Sequence, residues 1–150
     1  MNEVVQEVLA FMRSDLLNRQ VSVRIEPAAQ LPAVLGDRVQ LQQVLLNLLI
    51  NSCDAMVASE AQRDIVVRSE SAPGGNVKVS VADRGTGIAP ENLERIFEPF
   101  VTTKAQGMGL AVCRSIVKAH GGRLWASNNP DGGATLIVEL PADGPSPSDA

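Results

Sequence analysis

The stretch QQVLLNLLINSCDAM, Gln42 to Met56, limits this chain more than any other. Leu45, Leu46, Leu48, Leu49 and Ile50 leave it almost no polar face, so a helix here has to be covered on most sides. Two asparagines, Asn47 and Asn51, are set into it four residues apart, one turn above the other on a single face. A buried amide without a partner costs roughly 1–3 kcal/mol. Two in register on a helix built for burial therefore call for partners, in the protein or in a ligand. Asp37 can cap the helix, which is expected to start near Arg38 and run to about Ala58.

The flanking segments supply the cover. EVVQEVLAFMRSDLLNRQ places Val4, Val5, Val8, Leu9, Met12 and Leu16 at helical spacing. VSVRIEP alternates Val21, Val23 and Ile25 against Ser22 and Arg24, as a half-buried strand does. Pro27 and Pro32 bracket a loop. DIVVRSES and NVKVSVAD are strands joined by APGG, a hairpin signal. RGTGIAP, a short helical piece ENLERIF and the loop EPFVTTKAQGMG follow. LAVCRSIVKAH reads as a helix ended by Gly121 and Gly122, and RLWASN and ATLIVELP as strands around an NPDGG turn.

That order predicts a two-layer α/β sandwich, with a mixed, mostly antiparallel sheet and the helices on one face. A doubly wound fold would need more alternation of strand and helix. At 150 residues one domain is expected, residues 1–141, with the Pro-, Ser- and Asp-rich 142–150 as a disordered tail.

A net charge of −4 argues against a general nucleic-acid or anionic-membrane surface, and 3% aromatics against a base-stacking platform. Cys53 and Cys113 sit in apolar helical contexts and imply no disulfide framework, which points to a reducing, cytoplasmic compartment. No stretch approaches the roughly 18 apolar residues of a membrane span. MNEVVQEV lacks the basic start of a signal peptide.

Three glycine-bearing elements remain: DRGTGI (Asp83 to Ile88), GMGL (Gly107 to Leu110) and DGGAT (Asp131 to Thr135). Glycines before a helix let backbone N–H groups approach an anion, and the helix N-terminus adds about half a positive charge. Singly, each reads equally well as a turn or a flexible helix entry. Together, the ordered set NLLINSCDA, DRGTGI, IFEPFVTTK and GMGLAV resembles the N, G1, F and G2 boxes of the catalytic and ATP-binding domain of sensor histidine kinases. These belong to the larger family of DNA gyrase, heat-shock chaperone and mismatch-repair ATPases. The resemblance runs from roughly Glu3 to Pro141, implies the Bergerat-type fold, and narrows to histidine kinases through EPFVTTK.

The resemblance implies ATP and Mg²⁺ as ligands. Asn51 matches the position that ligates Mg²⁺ through its side-chain oxygen, and a hard cation of that size takes few protein ligands. Asn47 would reach the phosphate end or a metal-bound water. Asp83 matches the aspartate that accepts a hydrogen bond from the adenine amino group, and Thr135 a threonine that supports the same edge. Ile88 and Ala55 would wall the base, and Gly85 and Gly87 allow close backbone approach. Gly107, Gly109 and Leu110 open the phosphate-facing helix. Lys104 is the candidate to pair with the phosphates, its alternative being a solvated loop lysine. Asn47 and Lys104 are the residues expected to serve catalysis.

The implied activity is transfer of the γ-phosphoryl group to a histidine on a separate dimerisation domain. The implied partners are that domain and a response-regulator receiver, with no nucleic acid and no membrane contact. His120, closing a helix at KAHGG without an acidic follower, is expected to be structural. Asp54 stands where many histidine kinases carry lysine, and either holds a metal-bound water or faces solvent. The family commonly shows a G-x-G-x-G-L run where this chain has GMGL. That departure supports the alternative of a regulatory nucleotide-binding module without phosphotransfer. A gyrase-type hydrolase would place a glutamate base where Asn47 stands.

Overall fold

The computed structural model describes residues 1–29, 31, 34, 36–56, 63–85, 87–98, 109–130 and 132–141. Five strands form one sheet: β1 (Ser22–Glu26), β2 (Asp64–Ser71), β3 (Val77–Ala82), β4 (Arg123–Asn128) and β5 (Ala134–Leu140), in the order β1-β2-β3-β5-β4. β1 pairs parallel with β2, because a long helix lies between them in the chain; the other three pairings are antiparallel. The expected mixed sheet is therefore present, and so are both hairpins.

One face of the sheet is apolar. Ile65 and Val67 of β2, Val77, Val79 and Val81 of β3, and Leu136, Val138 and Leu140 of β5 join a single buried cluster with the helices. The central helix α3 (Arg38–Ala55) contributes Leu41, Val44, Leu45, Leu48, Leu49 and Cys53 to it. The helix α4 (Gly109–Ala119) contributes Leu110, Cys113 and Val117. Asp37 caps α3 as expected, its Oδ1 accepting from the Gln40 N–H at 3.1 Å. The helix ends at Ala55 rather than near Ala58.

Two other expectations need correction. The first helix is two, α1 (Asn2–Phe11) and α2 (Arg13–Asn18), broken by a turn at Met12 with φ −86° and ψ 1°. Val8, Met12 and Leu16 are all buried across the break, while Phe11 and Leu17 face out. ENLERIF is helical as expected, but it is divided between two 3₁₀ helices, Pro90–Asn92 and Arg95–Phe97, rather than being one piece, and the second is anchored by buried Phe97. The last-strand, Gly121 and Gly122 signals held: the Gly122 N–H closes α4 on the Val117 carbonyl at 2.9 Å.

Candidate functional site

Alternation along β3 carries Val77, Val79 and Val81 into the core, and the next residue in phase is Asp83. Asp83 is therefore a carboxylate on an apolar face, only 4% exposed. Such a group has to be bonded. Its Oδ1 accepts from the Gly85 N–H at 2.8 Å and from the Ala134 N–H at 3.1 Å. The loop after β3 folds back against the end of α3. A Cβ on Gly85 would lie 2.5 Å from the Ala55 carbonyl oxygen, so only glycine permits that approach. Gly133 is as tight, since a Cβ there would meet the Asp83 carbonyl oxygen at 2.1 Å.

The asparagine face of α3 thus has two fixed ends. At one, Ala55 touches the Gly85 loop. At the other, two turns back, the Asn47 Nδ2 donates to the carbonyl of Gly109, the first residue of α4, at 3.3 Å. Asn51 lies midway, half-buried, with no hydrogen-bond partner among the described residues. Beneath Asn47 the Cys113 thiol is fully buried and approaches the Val44 carbonyl at 3.7 Å. Burial pushes that thiol up to about 11, against the opposing hydrogen bond from Asn47.

The structure therefore gathers Asn47, Asn51, Ala55, Asp83, Gly85 and Gly109 along one line. Gly87 and Ile88 follow on the same loop, half-buried. Lys104 and Gly107 lie outside the described residues. Three expected residues stand apart. Thr135 pairs across the sheet with Ala82, so its side chain is on the face opposite Asp83, where its hydroxyl bonds the Asn129 amide. It is the backbone of its neighbour Ala134 that reaches Asp83. Leu110 packs in the core. Asp54 neither faces solvent freely nor awaits a metal, because it pairs with Arg19 at 3.0 Å.

His120 is structural, as expected. Its Nδ1 bonds the Ile116 carbonyl at 2.8 Å and its Nε2 accepts from the Asp37 N–H at 3.1 Å, joining α4 to the cap of α3.

Two residues that no motif singles out also touch the site. Asn128 bonds both backbone groups of Ile88, and Asn129 bonds the Asp83 carbonyl. Asparagines beside a Pro-Asp-Gly-Gly turn read as turn chemistry, so nothing in the sequence marks them.

Residues 36–144 match the family model described as histidine kinase-, DNA gyrase B-, and HSP90-like ATPase. The chain belongs to that family. Within it, this histidine kinase-like ATPase domain is 45% identical over 127 residues to the sensor protein FixL of Bradyrhizobium diazoefficiens, covering 83% of the chain and 25% of FixL. The catalytic domain of histidine kinase ThkA superposes with a TM-score of 0.83 at 34% identity, covering 94% of this chain and 93% of that one. ThkA in complex with the response regulator TrrA gives 0.79 at 32%, covering 100% of this chain and 42% of that one. Full-length ShkA in complex with AMPPNP gives 0.83 at 30%, covering 97% and 31%. The domain spans about a quarter of the length of FixL. It is thus a sensor-histidine-kinase type of ATPase domain, with the α/β sandwich expected of one. No helix among the described residues is long and apolar enough to cross a membrane.

Proposed function

We propose that this domain binds ATP with Mg²⁺ along the line from Asp83 to Gly109 and donates the γ-phosphoryl group to a histidine on a separate helical dimerisation domain. The observation that carries the reading is Asn51: a half-buried amide with no hydrogen-bond partner among the described residues, held midway between the Gly85 loop at Ala55 and a helix N-terminus at Gly109. Asp83 would accept from the adenine amino group, a bond that a guanine carbonyl cannot make. Ile88 and Ala55 would flank the base. Asn51 would hold the metal through its amide oxygen, which adds no negative charge beside the triphosphate. The bound metal would neutralise phosphate charge. Asn47 holds the start of α4, so that its backbone N–H groups face the phosphates. Lys104 and Gly107 are proposed for the phosphate side from their motif positions alone.

Phosphoryl transfer needs little covalent chemistry from the protein; positioning and charge neutralisation suffice. The acceptor domain and a response-regulator receiver are the proposed partners; the similar ThkA structure, in complex with the response regulator TrrA, supports the second. Residues 1–141 are the proposed catalytic unit, working on the cytoplasmic side without contacting membrane or nucleic acid. Calorimetric titration with a non-hydrolysable ATP analogue, with and without Mg²⁺, tests the binding. Metal-dependent saturation at one site is expected. Absence of binding with Mg²⁺ present would overturn the reading.

A further inference from the structure

We propose that Asn128 and Asn129 are positioning residues for the base-binding loop, and that discrimination between purine bases depends on their amides as well as on Asp83. The proposal rests on the adenine-nucleotide reading above. The Asn128 Oδ1 accepts from the Ile88 N–H at 2.8 Å, and its Nδ2 donates to the Ile88 carbonyl at 2.6 Å. One side chain thus answers both backbone groups of Ile88, as a neighbouring strand would. The Asn129 Nδ2 donates to the Asp83 carbonyl at 3.0 Å, and the Asn129 N–H bonds the Gly133 carbonyl at 2.9 Å. Consecutive residues at one hairpin turn therefore hold the loop at its two ends.

The loop needs such a hold. β3 ends at Ala82; the Asp83 N–H still bonds the Ala134 carbonyl at 2.9 Å, but beyond it the chain leaves the sheet and runs through Gly85 and Gly87, the residue type with the widest backbone freedom. Asp83 would read the polar edge of the base and Ile88 would cover its face, so the pocket's shape is the distance between them. Asn128 and Asn129 set that distance from outside the pocket. No hydrogen bond among the described residues joins either of them to Asn51 or Gly109, so loosening them alters base recognition and leaves the phosphate end alone. The amide is required at Asn128 because it must both donate and accept; a carboxylate would set its second oxygen against the Ile88 carbonyl.

The test is calorimetric titration of the 150-residue chain with ADP and with inosine diphosphate, whose 6-oxo group cannot donate to Asp83. Wild type, Asn128→Asp, Asn128→Ala and Asn129→Ala are compared. The variants are expected to lose about tenfold in ADP affinity, the scale of one to two net hydrogen bonds, while inosine diphosphate changes by less than about twofold. The ratio of the two affinities therefore narrows. A parallel loss for both nucleotides would mean a purely structural role and overturn the proposal, as would an unchanged ADP affinity. Should a variant fail to fold, hydrogen exchange at the Ile88 amide of the wild type decides: protection is expected, and free exchange overturns the clamp. A wild-type chain that binds neither nucleotide overturns the adenine reading, and this proposal with it. Wild-type preference for ADP that survives all three substitutions overturns this proposal alone.

Discussion

Arg19 Nη1 stands 3.0 Å from Asp54 Oδ1 and joins the end of α2 to the last turn of α3. The Arg19 carbonyl in turn accepts from Arg63 at 2.9 Å, so the pair sits where α2, α3 and the entry to β2 converge. The hydrogen bond to Asp54 raises the Arg19 guanidinium above its usual value. Family resemblance would suggest a lysine at this position; the structure gives the acid a structural partner instead. The pair is partly exposed, with Arg19 at 40%, which limits its worth to about 1 kcal/mol. Arg19→Gln and Asp54→Asn, measured singly and together by urea denaturation, should show coupling of that size or less. Asp54→Lys sets two cations together and should cost more than Asp54→Asn, with no gain in nucleotide affinity. A gain would show that the position acts on phosphate after all.

Asp83→Asn separates recognition from folding. The asparagine oxygen can still accept from the Gly85 and Ala134 N–H groups, so the loop should keep its shape. The charge-assisted bond proposed to the adenine amino group is lost, weakening ATP-analogue binding by roughly 1–3 kcal/mol. Calorimetry beside a thermal melt reads both quantities. ATP affinity equal to wild type would sink the adenine assignment.

Asn51→Ala should abolish the Mg²⁺ dependence of nucleotide binding and leave the melting temperature nearly unchanged. The second half follows because Asn51 has no hydrogen-bond partner among the described residues to lose. Asn47→Ala is the contrast. It breaks the bond to Gly109 and should destabilise the domain by about 1 kcal/mol. A large loss of stability in Asn51→Ala with an intact metal response would return Asn51 to the fold.

The Cys113 thiol makes stability depend on pH in the alkaline range. Burial raises it from 9.0 to about 11, so the folded state holds its proton more tightly than the unfolded state does. Its contribution is complete below about pH 9 and is lost as the pH rises through about 11. Denaturation midpoints between pH 8 and 11 should fall for wild type and fall less steeply for Cys113→Ala. In the native state neither Cys113 nor the equally buried Cys53 should react with a thiol reagent at neutral pH.

What could be read from residues alone follows the range over which each signal acts. Period and punctuation are local, so the strands, both hairpins and the Asp37 cap were legible. The family was legible too, because four short motifs in fixed order are improbable together. Thr135 was not, because its face depends on strand register: pairing with Ala82 puts it opposite Asp83, and motif matching carries no such parity. Nor was the fate of Asp54, since Arg19 lies 35 residues away in sequence and meets it only through helix packing. The break at Met12 escaped because apolar spacing continues through it: Val8, Met12 and Leu16 lie four apart, as they would on one unbroken helix face. Asn128 and Asn129 carried the least signal, because turn propensity explains them equally well.

The last prediction concerns where the phosphoryl group goes. Mixed with ATP and Mg²⁺ alone, this chain should accumulate no phosphohistidine. His120 is its sole histidine, and both ring nitrogens are engaged, Nδ1 by the Ile116 carbonyl and Nε2 by the Asp37 N–H. Phosphorylation at either nitrogen would break one of those bonds and part α4 from the cap of α3. Distance points the same way. α4 runs for 11 residues from Gly109, so His120 lies about 16 Å along the helix from the end that faces the phosphates. Reacting atoms must come within about 3–3.5 Å, which transfer inside one domain cannot satisfy. Acid-labile, base-stable label from γ-labelled ATP should therefore appear only when a helical domain bearing an acceptor histidine is added. It should appear there equally with His120→Gln, provided the variant is compared at a temperature where it is folded, because the substitution should cost about 1 kcal/mol of stability through the lost bonds. Label on the isolated wild-type chain that vanishes in His120→Gln would refute the structural role and relocate the acceptor to α4 itself.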